Sequence, residues 1–196
     1  MSLGASAESA ALPVPVAMLV CLLLAFVLIA SAAQAESLTG YVVAIDDGDS
    51  LTVLDSAKTL HRIRLAGIDA PERGQPGSQR SKDSLARFVA DREVRVEWSK
   101  RDDYGRLVGK VWVVSPDMPC RDQPDCPKTL DAGLAQLTIG RAWWFRRFAA
   151  EQSPEDRSRY EFAETEARAR RAGLWRDANP VPPWEWRNSR PGTKRN

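Results

Sequence analysis

Residues 39–54 read TGYVVAIDDGDSLTVL, two strand-like runs, Thr39 to Ile45 and Leu51 to Leu54, on either side of Asp46-Asp47-Gly48-Asp49. An Asp-Gly turn between such runs is a strong short-range sign of a β-hairpin. Outward from it, Thr59 to Gly67 reads as a third strand. A Gly/Pro-rich loop leads to Ser78–Ala90, where Leu85, Phe88 and Val89 share one helical face. Val94 to Trp98 and Leu107 to Val114 return to strand character across the polar turn Lys100 to Arg106. Helical spacing then takes over. Leu130, Leu134 and Leu137 line one helix that stops at Gly140, and a second runs from Pro154 to Ala172 with Gly173 as its stop. Three strands, a helix, two strands and two helices predict a mainly β, α+β domain: a small five-stranded barrel with about three helices on one side.

The ends differ from this middle. Residues 1–35 hold no Lys or Arg, one acid (Glu8) and a long apolar run from Val14 to Ala33. They read as a signal peptide or as a retained N-terminal membrane anchor. Ala33-Gln34-Ala35 has the small-x-small form that a signal peptidase cuts, whereas the missing basic start keeps the anchor reading open. The expected location is secreted or periplasmic, the alternative an anchored protein facing away from the cytoplasm. Residues 36–178 form the expected domain. The tail 179–196, rich in Pro, Trp and Arg, is expected to pack through Trp184 and Trp186 and then fray.

Charge is a weak guide. The whole chain carries +2, and without residues 1–35 it holds 28 basic against 25 acidic side chains, a mild excess that neither requires nor excludes a polyanionic partner. Cys120 and Cys126 flank a short Pro-containing loop. In an exported chain two lone cysteines this close are expected to form a disulfide rather than a metal site, with two free thiols as the alternative.

The chemistry lies in Asp47-Gly48-Asp49, Arg64, Asp69-Ala70-Pro71-Glu72 and Asp103-Tyr104-Gly105-Arg106. Singly each is an ordinary turn, loop or strand residue. Together they supply what metal-assisted phosphodiester hydrolysis needs. Asp49, Asp69 and Glu72 are hard oxygen donors for a divalent cation, and the extended residue before Pro71 makes the Ala70 carbonyl a further candidate. Arg64 and Arg106 offer planar forks that match phosphate oxygens, and a carboxylate can serve as base toward water.

In this order the motifs resemble the staphylococcal nuclease family over about Thr39 to Trp175. The resemblance implies an OB-fold barrel with three helices. It implies a calcium ion on Asp49, Asp69 and the Ala70 backbone carbonyl with Asp47 in the outer shell, and phosphate held by Arg64 and Arg106. Glu72 would orient or deprotonate the attacking water, Tyr104 would touch a terminal phosphate or sugar, and cleavage would leave a 3′-phosphate and a 5′-hydroxyl. Asp103, where the best-known member has lysine, weakens the expectation of exonuclease action. The implied partner is DNA and/or RNA, with no obligate protein partner and a monomeric state; a membrane enters only if residues 1–35 are retained.

Trp143-Trp144-Phe145-Arg146-Arg147-Phe148 interleaves aromatics with arginine, so Arg146 and Arg147 are candidate substrate-binding residues, although most of these rings can equally be packing groups. His61 is expected to be a surface or packing residue. Arg168, Arg170 and Arg171 among Glu161, Glu164 and Glu166 are expected to form a solvated, salt-bridged helix face. The competing reading of the chain is a non-catalytic OB-fold module that binds nucleic acid or protein; a membrane-anchored assembly factor is a third.

Overall fold

The computed structural model describes residues 36–189 except Asp122 and Pro124. The expectations for residues 1–35, and for the tail beyond Ser189, lie outside the described residues.

The strands are β1 (Glu36–Ile45), β2 (Ser50–Asp55), β3 (Leu60–Leu65), β4 (Ile68–Asp69), β5 (Glu93–Arg101), β6 (Leu107–Val113), β7 (Leu130–Asp131) and β8 (Trp143–Trp144). The helices are α1 (Ser78–Val89), α2 (Ala132–Thr138), α3 (Pro154–Ala169) and α4 (Pro183–Ser189), with 3-10 turns at Arg146–Glu151 and Gly173–Arg176. β1 is central, pairing antiparallel with β2 (Tyr41 opposite Leu54) and with β5 (Leu38 opposite Val96). The order β3-β2-β1-β5-β6 is closed by a parallel β3–β6 pairing, Arg64 opposite Val108. The result is the five-stranded OB-fold barrel, and closure leaves these five strands no free ladder edge at that seam. Register breaks at Val42/Ala44 and Trp98/Lys100 mark bulges, which sharpen strand curvature where a small barrel needs it.

Period-two burial builds the core. Val42, Leu51, Val53, Ile63, Leu65, Val94, Val96, Leu107, Val111 and Val113 point inward, each such side chain stabilising the fold by roughly 1.5–3 kcal/mol. α1 adds Leu85 and Val89 to that core and buries Ser81 and Ser84 on the same face. Asp131 begins α2 by accepting from the Gly133 and Leu134 amides, and Ser153 begins α3 by accepting from the Asp156 amide.

Three expectations change. β5 runs on to Arg101, so the turn to β6 is only Asp102 to Arg106. The face of α3 that includes Glu164 is not solvated: Tyr160, Ala163, Glu164 and Ala167 are buried, because the i, i+3, i+4, i+7 spacing turns them all inward. The tail packs through Trp184 as expected, but as a helix, α4, docked through buried Pro183 and through Trp184, which meets Trp143 and stacks on Phe145.

Cys120 and Cys126 are joined by a disulfide with Cα atoms 5.4 Å apart. His61 pairs with Asp55 at 2.8 Å at the barrel surface. Among the described residues no helix is long and apolar enough to cross a membrane.

Candidate active site

Strand register assembles the site. Ser50 stands opposite Arg64 across β2–β3, so Asp49, one residue before β2, lies beside that arginine, and the Leu65 amide donates to the Asp49 carbonyl at 2.8 Å. The chain then reverses through Gly67, in the left-handed region at φ 74°, and returns as β4 carrying Asp69. The Ala70 amide donates to Asp49 Oδ2 at 2.6 Å, tying the two carboxylate segments together. Arg64 spans both acids, Nη1 lying 2.9 Å from Asp49 Oδ2 and Nη2 2.9 Å from Asp69 Oδ1.

Asp47 shapes the loop by accepting from the Asp49 amide at 3.0 Å. Gly48 is needed for close approach: a Cβ there would stand 1.9 Å from Ser81 Oγ and 2.8 Å from the Ala70 Cβ. Gln136 fixes the same loop from α2, donating to the Gly48 carbonyl at 2.8 Å.

Arg106 arrives from the β5–β6 turn and donates through Nη1 to Ser50 Oγ, which in turn donates to Asp49 Oδ1. Asp102 organises that turn. Its carboxylate accepts from the Tyr104 and Arg106 amides and, at 2.7 Å, from Arg106 Nε. Burial alone would raise the Asp102 carboxyl, but these bonds and the arginine's charge hold it below the ordinary range. Tyr104 is exposed, its ring 5.5 Å from the Arg106 guanidinium. Glu72 is half-buried beside Asp69, and its amide donates to Gln75 Oε1.

Asp49 and Asp69 are 4% and 1% exposed. Burial pushes the Asp49 carboxyl well above its usual range; Arg64 opposes this, while the like charges of Asp47 and Asp69 reinforce it. Two buried acids kept this close suit a hard cation, and two carboxylates with a backbone carbonyl form a partial oxygen set that such an ion completes with water. Among the described residues no group of three or more His, Cys, Asp or Glu side chains forms a ready metal cage. A third arginine, Arg187 of α4, stands between Asp69 and Glu72. Its Nη2 donates to Asp69 Oδ2 at 2.7 Å and its Nη1 to Glu72 Oε1.

The structure thus brings together Asp47, Asp49, Arg64, Asp69, Ala70, Glu72 and Arg106, with Tyr104 at the rim. Arg146 and Arg147 are elsewhere. Arg146 pairs with buried Glu164 at 2.9 Å and lies over Trp144, and Arg147 lies over Phe148; neither has a hydrogen bond or ion pair to the carboxylate centre. Trp143 and Trp144 are buried packing groups. Sequence reading missed Asp102, which the Asp-Asp-Tyr-Gly turn could have signalled, and Arg187, for which no local signal exists.

An OB-fold barrel whose rim carries buried acids and planar cations suits a phosphate ester, and the class it defines is a nuclease, a hydrolase acting on nucleic acid. Residues 62–177 match the family described as Staphylococcal nuclease homologue, and the chain belongs to that family. It is 40% identical over 164 residues to Protein ParB of Escherichia coli, covering 84% of this chain and 86% of that one. Over 173 residues it is 38% identical to a Micrococcal nuclease of Shigella flexneri, covering 84% and 89%. Over 149 residues it is 35% identical to an Uncharacterized endonuclease of Escherichia coli, covering 76% and 84%.

Proposed function

We propose that the protein is an exported, calcium-dependent endonuclease that cuts DNA and/or RNA to leave 3′-phosphate and 5′-hydroxyl ends, working as a monomer. The observation that supports this best is the Asp49–Arg64–Asp69 arrangement: two buried carboxylates bridged by one guanidinium. Asp49, Asp69 and the Ala70 carbonyl would hold the ion, with Asp47 shaping the loop behind Asp49. When bound, the ion supplies positive charge that stabilises a phosphate gaining negative charge.

The side chains carry the rest. Arg64 and Arg106 present forked donors to the equatorial oxygens of the phosphate, where charge grows in the transition state. Asp102 keeps the Arg106 fork in one orientation, so part of its rotational freedom is given up before substrate arrives. Glu72, with a carboxylate at the open side of the acid pair, takes the proton from the attacking water. Tyr104 lies at the substrate's edge.

The apolar run in residues 1–35 and the Cys120–Cys126 disulfide support export, since disulfides persist in oxidising compartments. The test is release of acid-soluble nucleotides from denatured DNA with calcium or with a chelator, followed by analysis of the ends. Products that a polymerase extends only after phosphatase treatment are expected. Full activity in chelator, or ends that extend directly, would refute the calcium and end-chemistry readings respectively.

A further inference from the structure

Arg187 reaches the site from ten residues beyond the family match, which ends at 177. Its guanidinium faces three carboxylate oxygens: both of Asp69, at 2.7 and 3.3 Å, and Oε1 of Glu72. Asp69 is therefore held between two arginines, Arg64 on one oxygen and Arg187 on both.

α4 also docks through contacts that do not involve Arg187. The segment is held by Gln75 Nε2 donating to the Val181 carbonyl at 2.7 Å, by buried Pro183 and by Trp184 against Trp143 and Phe145. Gln75 also accepts from the Glu72 amide, so one buried side chain ties the tail and the Glu72 loop together. Among the described residues the hydrogen bonds of the Arg187 guanidinium go to the acids of the site. A guanidinium keeps its charge at any working pH, so the group is a fixed cation against these acids.

We propose that Arg187 is a positioning residue and resident counter-cation of the Asp69–Glu72 pair, through which the C-terminal helix sets how tightly the site takes a divalent ion. This rests on the metal reading of Asp49 and Asp69 given above. A dication and a fixed guanidinium that share Asp69 repel one another across a few ångströms, and they compete for the same oxygens. At the effective dielectric of a protein surface, that repulsion is large enough to alter an ion's affinity by about tenfold or more. The helix therefore trades ion affinity for a fixed orientation of Asp69 and Glu72.

The test is calorimetric titration of calcium chloride into the purified full chain, with no turnover measured. Arg187→Gln should bind calcium about tenfold or more tightly than wild type, while Arg187→Lys, which keeps the charge, should stay within about threefold of it. A purely structural role would move both variants alike. Unchanged or weaker binding in Arg187→Gln, or equal tightening in Arg187→Lys, overturns the proposal.

Should Arg187→Gln destabilise the chain, Trp184→Ala frees the strap, and Arg187 with it, without altering the arginine itself. It should also tighten calcium binding, and failure to do so counts against the proposal. Asp69→Asn separates the two readings. If it abolishes wild-type calcium binding while Arg187→Gln changes nothing, only this proposal falls; if it leaves binding intact, the metal assignment falls too. Binding gained only in Arg187→Gln supports the proposal, and binding in neither protein overturns both readings.

Discussion

The short β4–β8 ribbon joins two buried acidic centres that are handled in opposite ways. On β4, Asp69 sits with Asp49 among like charges, and the Asp49 carboxyl is pushed well up by burial with Asp47 and Asp69 adding to it. On β8, the Trp144 amide donates to Glu164, which is 1% exposed, is paired with Arg146 at 2.9 Å and has Arg168 at 3.5 Å. The Glu164 centre is a brace: its charge is met by donors from separate elements. The Asp49–Asp69 centre sets two buried acids side by side, Arg64 shared between them and Arg187 on the Asp69 side, and the burial cost at Asp49 becomes useful when a cation arrives.

Removing each centre should therefore damage different properties. Glu164→Ala strips the partner from Arg146 and leaves the Trp144 amide unpaired, and a loss of about 3–5 kcal/mol in urea unfolding is expected. Turnover per folded molecule should stay within about twofold. A fall in turnover far beyond the folded fraction would erase the distinction between brace and site.

The converse holds at the rim. Arg64→Lys keeps the charge but loses the fork, and Glu72→Gln keeps the shape but loses the base. Each should lower kcat by about a hundredfold, close to 3 kcal/mol of transition-state stabilisation, while unfolding free energy moves by less than about 1 kcal/mol. Near wild-type cleavage of denatured DNA by either variant, at saturating calcium, would remove that variant's residue from the chemistry.

Legibility follows the same divide. Asp49, Arg64, Asp69 and Glu72 could be read because one hairpin and one reversal bring them together, and short-range turn chemistry is written in the sequence as Asp-Gly, Gly67 and Pro71. The barrel strands could be read from alternation, although the bulge that extends β5 could not. Glu164 was misread because its charge outweighed its position, yet Tyr160, Ala163 and Ala167 around it mark an inward stripe. Arg187 meets Asp69 at a separation of 118 residues. An arginine in a Pro/Trp-rich tail has no periodicity to betray it, and its contacts are long-range in sequence.

The smallest effect tests whether a brace can also carry an electrostatic cost. Asp131 caps α2, accepts from Tyr160 at 2.8 Å and lies 3.6 Å from Lys110. Burial nonetheless leaves its carboxyl raised, the lysine and the hydrogen bonds only partly offsetting it. A raised folded value means that the native state keeps the proton longer than the unfolded chain, whose aspartates titrate near about 3.9. Stability from this group is thus full below that value and is lost as pH rises through the folded value. Asn caps a helix about as well as Asp and does not titrate, so Asp131→Asn exchanges one cap for another, on a scale of about 1 kcal/mol. The difference in unfolding free energy, variant minus wild type, should grow in the variant's favour as pH rises from about 3 towards neutrality. A flat difference would mean that Tyr160 and Lys110 compensate the charge fully, and a falling one would mean that the ionised carboxylate is a net stabiliser.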